Sequence, residues 1–323
     1  MRKTWNTAHI EGRIYQHDLE VKTVKNQASK NFGKPYIGGK IEVAVDEACL
    51  SVIPVSFTYV TETTSKGGKN KTYAELLKII ENGKTVMMDG VEVATKVSID
   101  TAQALNDFIV EEDQFVSQQI LNGGFVEIVD KLKDEDQRAK FKMDMVITNI
   151  KTVDADPEKF IDEPFVAVRG AAFTFRNELL PYELVVKNPL GMKYFEDLEV
   201  SNANPLFTSV WGNLNFTTKS IAGTTEAAFG EDAVDVKQRK VKEWVITGCL
   251  KVPYDFGDEK ELTMDELIKL SQNREVHLAD IKKKREEYLA SQQTENNAFG
   301  GAASFSTPTP TPTAGIGDGA FKF

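Results

Sequence analysis

The chain has 323 residues, 41% hydrophobic and 27% charged, a composition that supplies enough apolar material for one large folded domain or two ordinary ones. No run approaches the roughly 18 apolar residues of a membrane span, and no apolar stretch follows Met1-Arg-Lys-Thr-Trp-Asn6, so neither a membrane segment nor a secretory signal is expected. Net charge is −10, from 39 basic and 49 acidic residues, which taken alone argues against a nucleic-acid binder. The distribution reverses that reading: residues 1–40 hold eight Lys/Arg and three acids, a local +5 that leaves −15 for the rest and predicts one cationic face on an acidic body.

In chain order, Thr7–Tyr15 alternates around Ala8, Ile10 and Ile14 and reads as a strand. Tyr36–Val45 is a second, with Gly38-Gly39 marking a bulge or sharp bend, and Leu50–Val60 a third, with Val55, Phe57 and Tyr59 on one period-2 face. Pro54 points to an edge or a bulge in that strand. Thr72–Asn82 has helical spacing and is closed by Gly83. Thr85–Ile99 returns to strand, turning at Asp89-Gly90. Glu111–Lys142 reads as a helix, a Gly123-Gly124 turn and a short strand Phe125–Val129.

A second β-rich region follows, with strands over Asp144–Val153, Pro164–Arg176, Tyr182–Lys187, Leu206–Lys219 and Lys240–Val252. The spacing of these short strands suits a small barrel or sandwich; two barrels, or one with a large insertion, fit equally. A capping box at Thr263–Glu266 opens one closing helix and Glu275–Ser291 forms another, whose Lys282-Lys-Lys-Arg285 run reads as a solvated face. Of the 31 residues from 293 to 323, 20 are Gly, Ala, Ser, Thr or Pro, and such a segment is expected to be a disordered tail. The expected organisation is an N-terminal barrel with a helical insertion over 1–142, a second β-rich domain or barrel extension over 143–257, helices over 258–292 and the tail. The fold class is mainly β (α+β), with a β-barrel core.

Catalysis finds no support. There is no phosphate loop, dinucleotide fingerprint or nucleophile elbow, and Lys66-Gly-Gly-Lys-Asn-Lys71 lacks the first glycine and the hydroxyl residue of a phosphate loop. Cys49, Cys249, His9, His17 and His277 show no metal-ligand spacing, so no metal or cofactor is expected, and two isolated cysteines suit a reducing cytoplasm. Binding is better supported. Trp5, Tyr15, Phe32 and Tyr36 are interleaved with Arg2, Lys3, Arg13, Lys22, Lys25, Lys30, Lys34 and Lys40. Single-stranded nucleic acid calls for that combination, because cations track phosphates and flat rings stack any base. Val24–Tyr36 reads as a basic loop beside the barrel, with Phe32 as its best stacking residue; Lys66, Lys69 and Lys71 form a second basic loop, and Tyr59 joins the candidate face.

Glu11-Gly-Arg-Ile-Tyr15, Tyr36-Ile-Gly-Gly-Lys-Ile-Glu-Val43 and Ile53-Pro-Val-Ser-Phe57 resemble the first three strands of the OB-fold barrels of single-stranded DNA-binding proteins. With the acidic remainder and the Gly/Pro/Thr-rich tail, the chain is similar to the larger versions encoded by bacteriophages, which would place it in the host cytoplasm. The resemblance covers about 1–62 and the tail. It implies a non-catalytic protein that coats exposed strands during replication, recombination and repair, in an oligomeric state left open, with a tail that recruits replication or recombination proteins. The bacterial tail pattern ends in several acids before its last Phe; here the end carries only Asp318, with Phe321 and Phe323 split by Lys322. A β-rich virion component is the alternative, and a nucleic-acid enzyme holding Mg²⁺ on carboxylates a distant third.

Overall fold

The computed structural model describes residues 4–110, 114–174, 176–225, 229, 233–257 and 262–298. The first strand, β1 (Asn6–His17), turns Ala8, Ile10 and Ile14 inward, each at most 2% exposed. After it come β2 (Glu20–Thr23), β3 (Pro35–Ala44), β4 (Val52–Thr61), the helix α1 (Lys71–Asn82), a single helical turn α2 (Val86–Asp89), β5 (Lys96–Ile109) and β6 (Phe115–Ile128). Hydrogen bonding closes five of these strands in the ring β1–β3–β4–β6–β5–β1, antiparallel except for β4 against β6. Helix α1, N-capped by Asn70, buries Tyr73, Leu76 and Ile79 against the ring between its third and fourth strands. That order, with the helix at that point, is the Greek-key barrel of the OB fold.

The same order recurs. The strands β7 (Ala139–Val153), β8 (Phe165–Phe173), β9 (Leu179–Val186), β10 (Leu206–Thr225) and β11 (Ala233–Cys249), with α3 (Pro189–Glu196) after β9, close as β7–β8–β9–β11–β10–β7, and only β9 and β11 run parallel. The two rings are joined by antiparallel pairing of their first strands, from Asn6↔Met143 to Ile10↔Ala139. Each first strand divides one edge between the other barrel and its own second strand. A segment after β11 crosses the outside of the second barrel, where Tyr254, Phe256 and Leu262 cover Val146, Ala171, Phe173 and Phe207. The chain then enters α4 (Met264–Ala298), held to the first barrel by Arg274 on Asp107 of β5, at 2.6 and 2.5 Å, and by Arg285 donating to the Val110 carbonyl.

The mainly β, OB-like expectation holds, and several local readings are corrected. Thr85–Ile99 is not a hairpin: the Thr85 hydroxyl caps Met88 N–H, Asp89 accepts from Thr85 N–H, and the resulting helical turn precedes β5. Residues 111–113 lie outside the described residues, and from Phe115 the expected helix is strand. Gly123-Gly124 is a bulge inside β6 rather than a turn: both have positive φ (71° and 115°), and a Cβ on Gly124 would collide with the Asp100 carbonyl. The two closing helices are one, since no Gly or Pro interrupts 264–298, and it carries helix into the expected tail as far as Ala298.

Candidate nucleic-acid interface

The outward side of β3 and β4 in the first barrel carries the candidate site. Between Ile37↔Val60 and Gly39↔Phe57 the chain advances two residues on β3 and three on β4, so β4 is bulged at Thr58-Tyr59. The extra residue flips the alternation. Phe57 stays in the core at 0% exposure while Tyr59 turns outward to 47%, which corrects the shared face expected for Val55, Phe57 and Tyr59. Tyr59 thereby reaches Tyr36 across the strand pair, with ring centroids 4.8 Å apart and planes tilted by 40°. The Tyr59 hydroxyl accepts from Asn31 Nδ2 at 3.3 Å, which ties the pair to the β2–β3 loop.

That loop is built from tight turns: Gly33 N–H bonds the Val24 carbonyl, Lys34 N–H bonds the Asn31 carbonyl, and Gly33 has φ of 76°. It leaves the Phe32 ring 53% exposed. Lys25 and Lys30 are exposed and make no ion pair among the described residues, while Lys34 lies 3.5 Å from Asn31 Oδ1 and Lys22 lies 3.4 Å from Glu20. The β4–α1 loop presents Lys66, Lys69 and Lys71, all exposed and without an ion pair among the described residues. Beneath Tyr59 a cleft of about 880 Å³ runs between the barrels toward α4, lined also by Asn122, Gln103, Arg274 and His277.

Other candidates lie elsewhere. Arg13 is held at 2.6 Å by Glu47, which also takes Arg138 at 2.8 Å, and these guanidiniums hold the Glu47 carboxyl below the usual range. Arg13 is thus a clasp on the barrel wall rather than a free cation. Trp5 lies on the seam between the barrels, its ring 4.3 Å from Lys142 Nζ. Tyr15 is half-buried beside the bulge in β1. Lys40 lies on the same outward row of β3 as Tyr36 but is 2.6 Å from Glu42, which raises its pKa. Burial opposes ionisation of Glu42, but hydrogen bonds from Lys40 and Gln16 outweigh it and hold the carboxyl low. Asp318, Phe321 and Phe323 lie outside the described residues.

Among the described residues the second barrel shows no matching open face. On β8, neighbours of opposite alternation are both buried, Ala167 at 1% and Val168 at 0%, then Ala171 at 4% and Ala172 at 0%. Gln119 of β6 donates to the Glu183 carbonyl on β9, and the segment after β11 covers the far end. What this barrel offers instead is a ribbon: β10 loses its β7 partner after Asn213 but pairs with β11 as far as Thr225↔Ala233. The root of the ribbon meets the first barrel through a bridge between Thr217 and Ser51, just before β4. The sequence places its Lys240 and Lys242 on a strand by alternation alone and does not show the neighbour they face.

The arrangement defines a protein of two OB-type barrels, the first with an exposed aromatic and cationic face. The chain belongs to the YorF family, whose family model matches residues 4–284. Among solved structures, it is similar to a deletion mutant of the single-stranded DNA binding protein from Thermus aquaticus, with a TM-score of 0.45 and 10% identity over 80% of this chain and 98% of that one. No curated protein matches. Among the described residues no helix is long and apolar enough to cross a membrane, and no three His, Cys, Asp or Glu are grouped to hold a metal ion.

Proposed function

We propose that the chain is a non-catalytic, largely sequence-independent single-stranded DNA-binding protein that lays the strand across the outward side of β3 and β4. The observation that carries this reading is the Tyr36–Tyr59 pair, outward-facing at 4.8 Å on the second and third strands of an OB ring. The strand-2 and strand-3 face, with the loop between strands 1 and 2, is where OB barrels take oligonucleotides. Phe32 extends the stacking surface, and Lys25, Lys30, Lys34, Lys66, Lys69 and Lys71 supply phosphate contacts around it. In this role the protein coats strands exposed in replication, recombination and repair, as the phage-encoded proteins it resembles would, and the tail with Asp318, Phe321 and Phe323 recruits partner proteins.

The test is fluorescence anisotropy with labelled oligo-dT and a matching duplex, at low and moderate salt. Tight binding to the single strand, weak binding to the duplex and loss with salt support the reading. No binding of the single strand at low salt refutes it.

A further inference from the structure

The β10–β11 ribbon leaves the second barrel with one face inward. At Leu214, Phe216, Trp244 and Ile246 that face is core, at most 5% exposed. Further out the same alternation brings Lys242, opposite Phe216, and then Lys240, opposite Thr218. A face that is apolar inside the barrel becomes cationic where it clears the mouth. The ribbon is pinned there on both sides. Thr217 bridges Ser51 of the first barrel, Lys219 pairs with Asp162 at 2.6 Å, and Arg239 donates to the Lys159 carbonyl. Ser51 leads directly into β4, whose Pro54 and Ser56 lie opposite Glu42 and Lys40 on β3.

Three ammonium groups therefore act on one carboxylate, Lys40 by direct pairing and Lys240 and Lys242 through their charge. Glu42 is bonded by Lys40 and Gln16, and its carboxyl is held low by the Lys240 charge as well. Lys242 is half-buried with its Nζ 5.9 Å from the Phe216 ring centroid, and among the described residues neither Lys240 nor Lys242 has an ion-pair partner. Burial pushes the Lys242 pKa down, repulsion from Lys240 and Lys40 pushes it further, and the Glu42 charge offsets only part of this. One carboxylate does not balance three ammonium groups, and the residual like charge costs free energy unless a further anion occupies the site.

We infer that Lys240 and Lys242 of the second barrel form, with Lys40 of the first, a phosphodiester-binding site at the far end of the β3–β4 face. The inference rests on the single-stranded DNA reading above and extends it: the second barrel contacts the strand through its ribbon rather than through a face of its own. From Tyr36 to Lys40 is about 13 Å along β3 at ~3.3 Å per residue, so one strand stacked on the tyrosines reaches the lysines without turning.

The experiment measures the slope of log affinity against log salt for an oligo-dT of about 16 nucleotides, the upper site size of one OB fold. Lys240→Gln with Lys242→Gln should flatten the slope by about 1.4, at roughly 0.7 per single-strand phosphate. Lys240→Arg with Lys242→Arg, which keeps both charges, should leave it unchanged. Lys240 is exposed, so Lys240→Gln alone folds and should flatten the slope by about 0.7. The inference is overturned if the glutamine variants keep the parental slope. It is equally overturned if Lys283→Gln, on the exposed side of α4, flattens it as much, because the effect would then be that of net charge. Failure of the parent chain to bind any single strand would instead bring down the reading beneath it.

Discussion

Replacing Tyr59 with alanine removes the half of the aromatic pair that the β4 bulge turns outward. One stacked base is worth about 1–3 kcal/mol by alanine substitution, which at about 1.4 kcal/mol per tenfold is a loss of affinity of about 5- to 150-fold. The upper half of that range is expected, because Tyr36 also loses the ring it packs against at 4.8 Å and the loop loses the Asn31 contact at 3.3 Å. With Tyr59 47% exposed, the fold should lose less than about 1 kcal/mol, checked by urea unfolding. Tyr59→Phe keeps the ring and gives up one long, exposed hydrogen bond, so affinity should fall by about twofold at most. The assay is competition anisotropy with labelled oligo-dT at fixed salt, repeated at several salt concentrations. Since tyrosine carries no charge, affinity should drop while the salt slope stays as it is. Unchanged affinity in the alanine variant, or a phenylalanine variant as weak as it, would refute stacking at this position.

The 53% exposed ring of Phe32 should behave similarly: Phe32→Ala is expected to cost about 1–3 kcal/mol of binding with unfolding unchanged, and equal affinity would remove Phe32 from the site. Replacing Lys25, Lys30 and Lys34 together by alanine should flatten the salt slope by about 2, whereas an unaltered slope would place the strand elsewhere. Arg274→Ala leaves Asp107 buried without its guanidinium; with side chains only 11% and 6% exposed, the loss should be about 3–5 kcal/mol in urea unfolding, and a loss near zero would mean that α4 is not anchored there. Burial alone would raise the Asp107 pKa, but bonds from Arg274 and Ser117 outweigh it and hold it low. Its stabilisation is therefore complete above the ordinary aspartate pKa of about 3.9 and is lost as pH falls through the lower folded value. Acid unfolding of Asp107→Asn should accordingly show a weaker pH dependence below about pH 4 than the parent, and identical profiles would exclude this linkage.

Much of this protein is written in local pattern. Alternation located β1, β3 and β4, the 3.6-residue period and Gly83 located α1, and the density of lysines among aromatics before residue 40 marked the face on which Lys25, Lys30, Phe32 and Tyr36 gather. These signals depend on neighbours a few residues apart, and so they survive in one dimension. Where a local signal had two structural solutions, pairing chose between them. Gly123-Gly124 suits a turn or a bulge, and β5 running alongside made it a bulge; Asp89-Gly90 suits a hairpin turn or the close of a helical turn, and the side-chain bonds of Thr85 and Asp89 made it the latter.

What only the tertiary structure decided is which strands meet. Strand order closed two rings where the sequence fitted two barrels and one barrel with an insertion equally, and a one-residue slip against β3 moved Tyr59 from the core side to the outer face beside Tyr36. The same tertiary contacts took Arg13 away to Glu47, buried both sides of β8, and carried Lys240 and Lys242 across about 200 residues of chain to Lys40. The physical reason is that side-chain period is a property of the strand, while register and burial belong to the pair. Composition could announce a cationic, aromatic face; which of its residues stand free on it depends on partners that the sequence places far away.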